Sequence, residues 1–355
     1  MAVEPWTGPI LDPEIPIVDP HHHVWHLPDA LLEALDQLPG KDGQDIARMY
    51  RLHRRYLIDE LLADHRAGHN IVATVFADAH TMYRATGPEE LKSLGEVEFV
   101  TGFSAMGESG VFGTTRLCAG IIGSVDLCLG DRVADILPLH IQAAGGRYRG
   151  VRPPALLADP SIASIAAVLG KPHVLLDPKF LEGARHLAPL GLSLDLLVLQ
   201  SQLPEVEHVA RALPNTTIVV NHTGGPVGIA PYSNDRVAAF AQWRDNLAKV
   251  ASLDNVRIKV GGLGMPFCGF PTSALPERAG YEALARDWRP HVETAIELFG
   301  PGRCMFESNF PIDGVTARFP DIWNAFKLIV SDYSDEDKAS LFAGTASRTY
   351  RLALD

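Results

Sequence analysis

The 355-residue chain contains no run of 18 apolar residues, so nothing in it reads as a membrane-spanning helix. It has only four cysteines, Cys118, Cys128, Cys268 and Cys304, widely spaced and without a CxxC pair. That pattern argues against a disulfide framework and for buried thiols in a reducing compartment. The opening MAVEPWTGPILDPEIP lacks both a basic stretch and an apolar core, so no signal peptide is expected and the cytoplasm is the expected location. Basic residues are outnumbered, 31 against 43 acidic ones, for a net charge of -12, and no basic stripe stands out. This argues against non-specific nucleic-acid binding but not against an anionic small substrate, because a few local arginines can override the global field. No internal repeat is visible.

What is present suits a large core: hydrophobic residues make up 46% of the chain. Residues 1–16, with four prolines, read as an N-terminal arm, and 17–355 as a single domain. Short apolar runs at about 17–20, 71–76, 119–127, 148–152, 192–199, 216–221, 255–260 and 303–308 predict strands. Between them, helical patterns fall at 51–67, 131–144, 161–170, 203–213, 234–250 and 281–299, with 323–330 and 336–346 closing the chain. A short helix is also open at 182–190. Residues 26–50, 77–95 and 261–279 read as long loops, the second with a short helix near 88–92, and Phe99–Thr101 fits either a strand or the start of a helix. Eight strands alternating with helices predict a parallel sheet closed as a (β/α)8 TIM barrel. The rival, an open doubly wound sheet, would carry a glycine-rich phosphate loop after strand 1, and here histidines stand there.

In such a barrel the active site lies at the C-terminal strand ends. Strand 1 runs into HHH, where a period of two puts His21 and His23 on one side and His22 on the other. Two imidazoles there suit metal binding or acid–base chemistry. Strand 4 brings Arg152 with Arg149 nearby, and strand 5 ends at Gln200. Strand 6 ends at Asn221 and His222, before glycines that let a backbone pass close to a ligand. Strand 7 carries Lys259. On strand 8, Glu307 shares a face with Asn309, about 6–7 Å deeper. Glu307 is either a proton acceptor, a metal ligand or half of a buried pair with Lys259 or an arginine. Arg152 is either a fork for a substrate carboxylate or a salt-bridge partner of a neighbouring strand. Trp25 and Phe310 are candidates for an apolar wall, and Asp19 for orienting His21 or another imidazole.

The segments VDPHHHVW at 18–25, RGVRP at 149–153, VVNHTGGP at 219–226, RCMFESNFPID at 303–313 and GTASRTYRL at 344–352 resemble the amidohydrolase superfamily, and within it the amidohydrolase-related branch. The resemblance runs from Ile17 to Leu352 and implies an amidohydrolase-type barrel with His21 and His23 facing the substrate or a divalent ion. That branch includes lactonases acting on sugar lactones and on pyrone dicarboxylate, alongside decarboxylases. In many relatives a strand 5 histidine, a strand 6 histidine and a strand 8 aspartate complete the site. His222 matches the second, but Gln200 and Asn309 stand where the other two belong. Asparagine cannot accept a proton as that aspartate does.

The resulting expectation is a lactonase-like hydrolase. Arg152 would hold a carboxylate or polarise the carbonyl, and Glu307 would activate water directly or through His222, with Asn309 positioning it. The cofactor is either a divalent ion, zinc or manganese, held by His21 and His23, or none, since some lactonases of the branch work without metal. Arg149, Trp25, Gln200 and Lys259 complete the expected substrate contacts. A non-oxidative decarboxylase and a non-catalytic binding barrel are the alternatives. A small-molecule substrate is expected, and a homo-oligomer fits the fold.

Overall fold

The structure is a computed structural model and describes residues 6–38, 40–154, 156, 158–162 and 170–353. Eight strands, β1 (Pro16–His22), β2 (Asn70–Ala77), β3 (Arg116–Gly123), β4 (Tyr148–Val151), β5 (Ser193–Leu196), β6 (Ile218–Val220), β7 (Val256–Val260) and β8 (Cys304–Phe306), pair in chain order, every pairing parallel. The ring closes just beyond the strand ends. Asn309 N donates to His21 O at 3.0 Å and His23 N donates to Phe310 O at 2.8 Å. The expected amidohydrolase-type (β/α)8 barrel is the observed one.

The strands are buried on both faces, as their β-branched runs require. Val18, Ala73, Val75, Ile122, Val219 and Met305 fill the interior, where Ala346, Tyr350 and Leu352 of the chain's end plug it. Ile17, Phe76 and Ile121 point outward to the helices. Strict alternation from Val18 would turn His22 inward. A register shift between Asp19 and His22 prevents this. His22 instead packs outward beside Phe76 and Cys118, leaving His21 and His23 on the inner side with ring centroids 5.0 Å apart. Asp19 holds the shift in place. Its carboxylate accepts from Ser308 N at 3.0 Å, Ser308 Oγ at 2.6 Å and His21 N at 3.3 Å. It therefore ties β1 to the end of β8 and does not orient an imidazole. Burial pushes its pKa up to about 7, against the pull of the Ser308 hydrogen bonds.

Several expected elements differ. The loop expected at 26–50 holds two helices, α1 (Asp29–Asp36) and α2 (Gly40–Leu52), and the single helix expected at 51–67 is broken. Arg55–Tyr56 pairs antiparallel with Trp25–His26, and only then does α3 (Ile58–His65) begin. This short ribbon closes the base of an excursion that folds over the barrel mouth. Phe99–Thr101 belongs to α4 (Leu94–Glu108), whose buried Val97, Val100 and Phe103 recur at helical spacing. Before α4, Glu89–Leu91 forms a turn of 3₁₀-helix. The helix expected at 161–170 falls almost entirely outside the described residues.

The barrel interior carries charge beneath the site. Lys259 and Asp195, both without exposed side-chain surface, pair at 2.9 Å, and Tyr350 donates to the same Asp195 oxygen at 2.7 Å. Lys259 Nζ also lies 5.2 Å from the Tyr350 ring centre. Replacing Tyr350 by Phe removes one donor from a buried carboxylate that keeps other partners. The expected loss is about 1–1.5 kcal/mol of unfolding free energy, read from the urea midpoint.

Candidate active site

Glu307 follows β8 directly and is fully buried. Its Oε1 accepts from the His222 backbone N–H at 3.0 Å and lies 2.8 Å from His222 Nδ1. Its Oε2 lies 2.9 Å from His21 Nδ1. His21 in turn has Nε2 3.1 Å from Arg152 Nη1 and Nδ1 3.3 Å from Lys259 Nζ. Burial, and then the charges of Lys259, His222 and Arg152, hold the His21 pKa well below the ordinary histidine value, so its ring is neutral. His23 is likewise pushed down, by burial first and Arg152 second. Its Nδ1 lies 2.9 Å from Ala77 O, and its ring stacks on Trp25 with centroids 5.5 Å apart and planes 15° apart. The carbonyl can only accept, so His23 carries its proton on Nδ1 and offers a lone pair at Nε2.

Arg152 realises the salt-bridge reading, to a residue that the sequence did not single out. Its Nε donates to Asp78 Oδ1 and its Nη2 to the Asp78 backbone oxygen. One further N–H faces His21, and the remaining two of its five N–H groups have no hydrogen-bond partner among the described residues, in a side chain that lines the cavity. Asp78 directly follows β2 and binds a second partner, His80, whose Nε2 lies 2.8 Å from Asp78 Oδ2 and whose pKa the carboxylate draws upward against its burial. Burial works to raise the Asp78 pKa, but Arg152 and His80 outweigh it and bring it down to about 2. The acid of ADAH after a β-branched run was the available signal, since an ionisable residue at a barrel strand end faces the site. Six groups from five strand ends thus form one chain of contacts: His80, Asp78, Arg152, His21, Glu307 and His222.

Above this chain opens a cavity of about 510 Å³. Five of the expected residues line it: His23, Trp25, Arg152, His222 and Asn309. His21 and Glu307 sit in contact just behind His222. The other three expected substrate contacts lie elsewhere. Lys259 is held by Asp195 inside the barrel. The Gln200 amide is used locally, accepting from Val227 N at 2.8 Å and donating to Ala239 O at 3.3 Å, and Leu197 lines the cavity from that strand. Arg149 lies at the start of β4, toward the opposite end of the barrel. Its Cγ would be 3.1 Å from a Cβ added to Gly120, with Leu352 of the plug 3.3 Å away, and its Nη1 donates to Gly146 O at 2.7 Å. Asn309 donates to Asp313 Oδ1 at 2.8 Å, which leaves its own Oδ1 as an acceptor. Burial raises the Asp313 pKa to about 8.

Backbone strain collects at the same place. His80, His222, Thr223 and Asn309 have φ of 56°, 53°, 55° and 48°, a region that non-glycine residues avoid. Gly262, at φ 64°, lies against the His222 ring; a Cβ there would approach its Cγ to 2.6 Å. Gly225 makes its close approach to the backbone oxygen of Val198, not to the cavity: an added Cβ would lie 2.0 Å from that oxygen.

His21, His222 and Glu307 present ligand atoms within 4.8 Å of one another, a cluster able to hold a divalent ion. It replaces the expected ligand pair, because His23 points to Ala77 and stays outside the cluster. Two observations fit an ion here. Glu307 Oε2 is buried and makes no hydrogen bond of normal geometry among the described residues. The three ligand groups are all buried and converge from the ends of three different strands. Two imidazoles and a carboxylate suit zinc or manganese.

A profile of the family described as Amidohydrolase matches residues 18–352. An uncharacterized protein, y4mH, of Sinorhizobium fredii is 30% identical over 339 residues, covering 96% of this chain and 99% of that protein. An L-fucono-1,5-lactonase of Burkholderia ambifaria is 28% identical over 242 residues, 67% of this chain and 72% of that enzyme. Among solved structures, an amidohydrolase of Burkholderia multivorans with bound zinc superposes with a TM-score of 0.69 at 22% identity, over 95% of this chain and 99% of that one.

Two measurements follow from this geometry. Zinc titrated into the metal-stripped protein should bind at one ion per chain, with His21→Asn and Glu307→Gln each weakening it at least about tenfold. Asp78→Asn strands the buried Arg152 charge and should cost about 3–5 kcal/mol. Because the Asp78 pKa lies below its unfolded value, the contribution is present above about pH 4 and lost as pH falls toward 2. Wild type should therefore lose urea stability over that window more steeply than the variant.

Proposed function

We propose that this chain, which belongs to the amidohydrolase family, opens the ring ester of a small lactone by adding water to its carbonyl. At the coarser level it is an amidohydrolase-superfamily enzyme with a cluster fit for a divalent ion, acting on a small molecule. The lactonase reading draws support from the relatives named L-fucono-1,5-lactonase. The observation that carries it is the pairing of a cavity-lining His222 with a buried Glu307 at 2.8 Å.

Glu307 accepts from His222 Nδ1 and so fixes the tautomer whose Nε2 holds the lone pair. That nitrogen takes a proton from water as the water oxygen attacks the carbonyl carbon. The two remaining N–H groups of Arg152 face the oxygen on which negative charge develops. His222 then returns the proton to the ring oxygen as the carbon–oxygen bond breaks, and the product is a hydroxy acid. His23 Nε2 and Asn309 Oδ1 are acceptors that orient the attacking water or a substrate hydroxyl. The departed strand 8 aspartate is thus replaced by a carboxylate two residues earlier acting through an imidazole. An ion held by His21, His222 and Glu307 would take up the imidazole lone pair, and would then supply Lewis-acid stabilisation of the developing charge in place of proton transfer by His222.

The test is a pH-indicator assay over a panel of γ- and δ-lactones, with carbon dioxide release followed in parallel on aromatic acids. Ring opening should occur, and Glu307→Gln and His222→Asn should each lower kcat by about 10²–10⁴-fold without unfolding the chain. Near-normal turnover in Glu307→Gln would remove the carboxylate from the mechanism, and near-normal turnover in His222→Asn would remove the proposed base. Carbon dioxide release without ring opening would make the enzyme a decarboxylase, and neither reaction would favour a binding barrel.

A further inference from the structure

The polar and apolar parts of the cavity are segregated. Its buried polar side chains, His23, Arg152, His222 and Asn309, come from the ends of β1, β4, β6 and β8 and make up the floor, while Thr81 and His80, whose side chain is 51% exposed, follow β2 toward the rim. The walls come from other segments and are different in kind. Leu31 and Leu35 of α1, Ile46 and Met49 of α2, and Ile229 and Phe267 from the loops after β6 and β7 face the space. Among the described residues, Tyr50 and Trp25 are the wall side chains with a hydrogen-bonding group, and the Trp25 indole N–H is already spent on His53 O at 2.7 Å. Leu31 is 40% exposed at the rim, although it belongs to a wall that would be sheltered by an apolar occupant.

A lactone ring with hydroxyls on every carbon would fit the floor but not these walls. Each hydroxyl pressed against leucine, isoleucine or phenylalanine loses its water partners and gains none. An alkyl or aryl group gains by leaving water there. The volume of about 510 Å³ also exceeds the needs of a bare five- or six-membered ring and lies in the range of sites that enclose drug-sized molecules. We infer that the substrate is amphipathic: a hydrolysable ester head, with its carbonyl at Arg152 and His222, carrying an alkyl or aryl substituent of several carbons that lies against α1, α2 and Phe267. This rests on the lactonase reading for the identity of the head but not for that of the tail. It separates this site from the sugar lactone named for the relatives.

The experiment uses the full chain and two series of probes. The first is hydrolysis of γ-lactones whose side chain lengthens from methyl to heptyl, set against a polyhydroxylated 1,5-lactone. The value of kcat/KM should rise about fourfold per methylene over the first several carbons and exceed that of the sugar lactone. The second is binding of straight-chain carboxylates from butyrate to decanoate, followed by tryptophan fluorescence, since Trp25 lines the cavity. Affinity should climb with chain length in the same way, with no turnover required. Leu31→Gln, at a rim position that tolerates a polar residue, and Phe267→Ser should each flatten both slopes. A flat or falling dependence in both series, with the polyhydroxylated lactone preferred, would overturn the inference. Chain-length-dependent binding without hydrolysis of any lactone would instead overturn the lactonase reading and leave the amphipathic ligand standing.

Discussion

The structure depends on keeping ionised groups paired inside a barrel from which water is largely excluded. Glu307, Asp78, Asp195 and Lys259 have no exposed surface. An isolated charge in such a place is expensive, so each must find its counterpart within a hydrogen bond's reach. The solution is two linked systems. Lys259, Asp195 and Tyr350 make a structural pair deep in the barrel, and the chain from His80 to His222 crosses its mouth. They meet at His21, whose two ring nitrogens face Lys259 and Arg152. That ring is kept neutral first by its burial and then by the cations that face it on both sides.

This arrangement shapes the chemistry. Arg152 is not a free fork waiting for an anion, since Asp78 occupies its Nε edge and His21 one of its remaining donors. What it presents to the cavity is a fixed pair of N–H groups, preorganised in the way that stabilisation of developing charge requires. His222 is similarly fixed, by Glu307 on one side and by the Gly262 backbone against its ring. The left-handed backbone at His80, His222 and Asn309 turns these side chains inward at strand ends, and the dense packing around them keeps that conformation.

Much of this was legible in the chain. The eight β-branched runs alternating with helices predicted the barrel, and the HHH, NHTGG and ESN motifs predicted that His21, His23, His222, Glu307 and Asn309 would gather. Local pattern could not assign partners. Lys259 and Glu307 both looked like halves of a buried pair, yet each pairs with a different residue, and Asp195 sits in an apolar run that reads as plain strand. Helices α1 and α2 were missed because short amphipathic helices bounded by proline and glycine resemble a polar loop when no neighbour is known.

The sequence by itself determined the architecture and the end of the barrel where the site lies, because period-two burial and strand–helix alternation are local properties of the chain. Only the tertiary structure decided which ionisable groups neutralise one another, why His21 turns inward while His22 turns outward, and what covers the mouth. Those outcomes depend on distances between residues tens to hundreds of positions apart, on a register shift beside Asp19, and on an excursion that folds back over the cavity. Hydrogen-bond and charge partners are chosen by space, and no spacing along the chain encodes them.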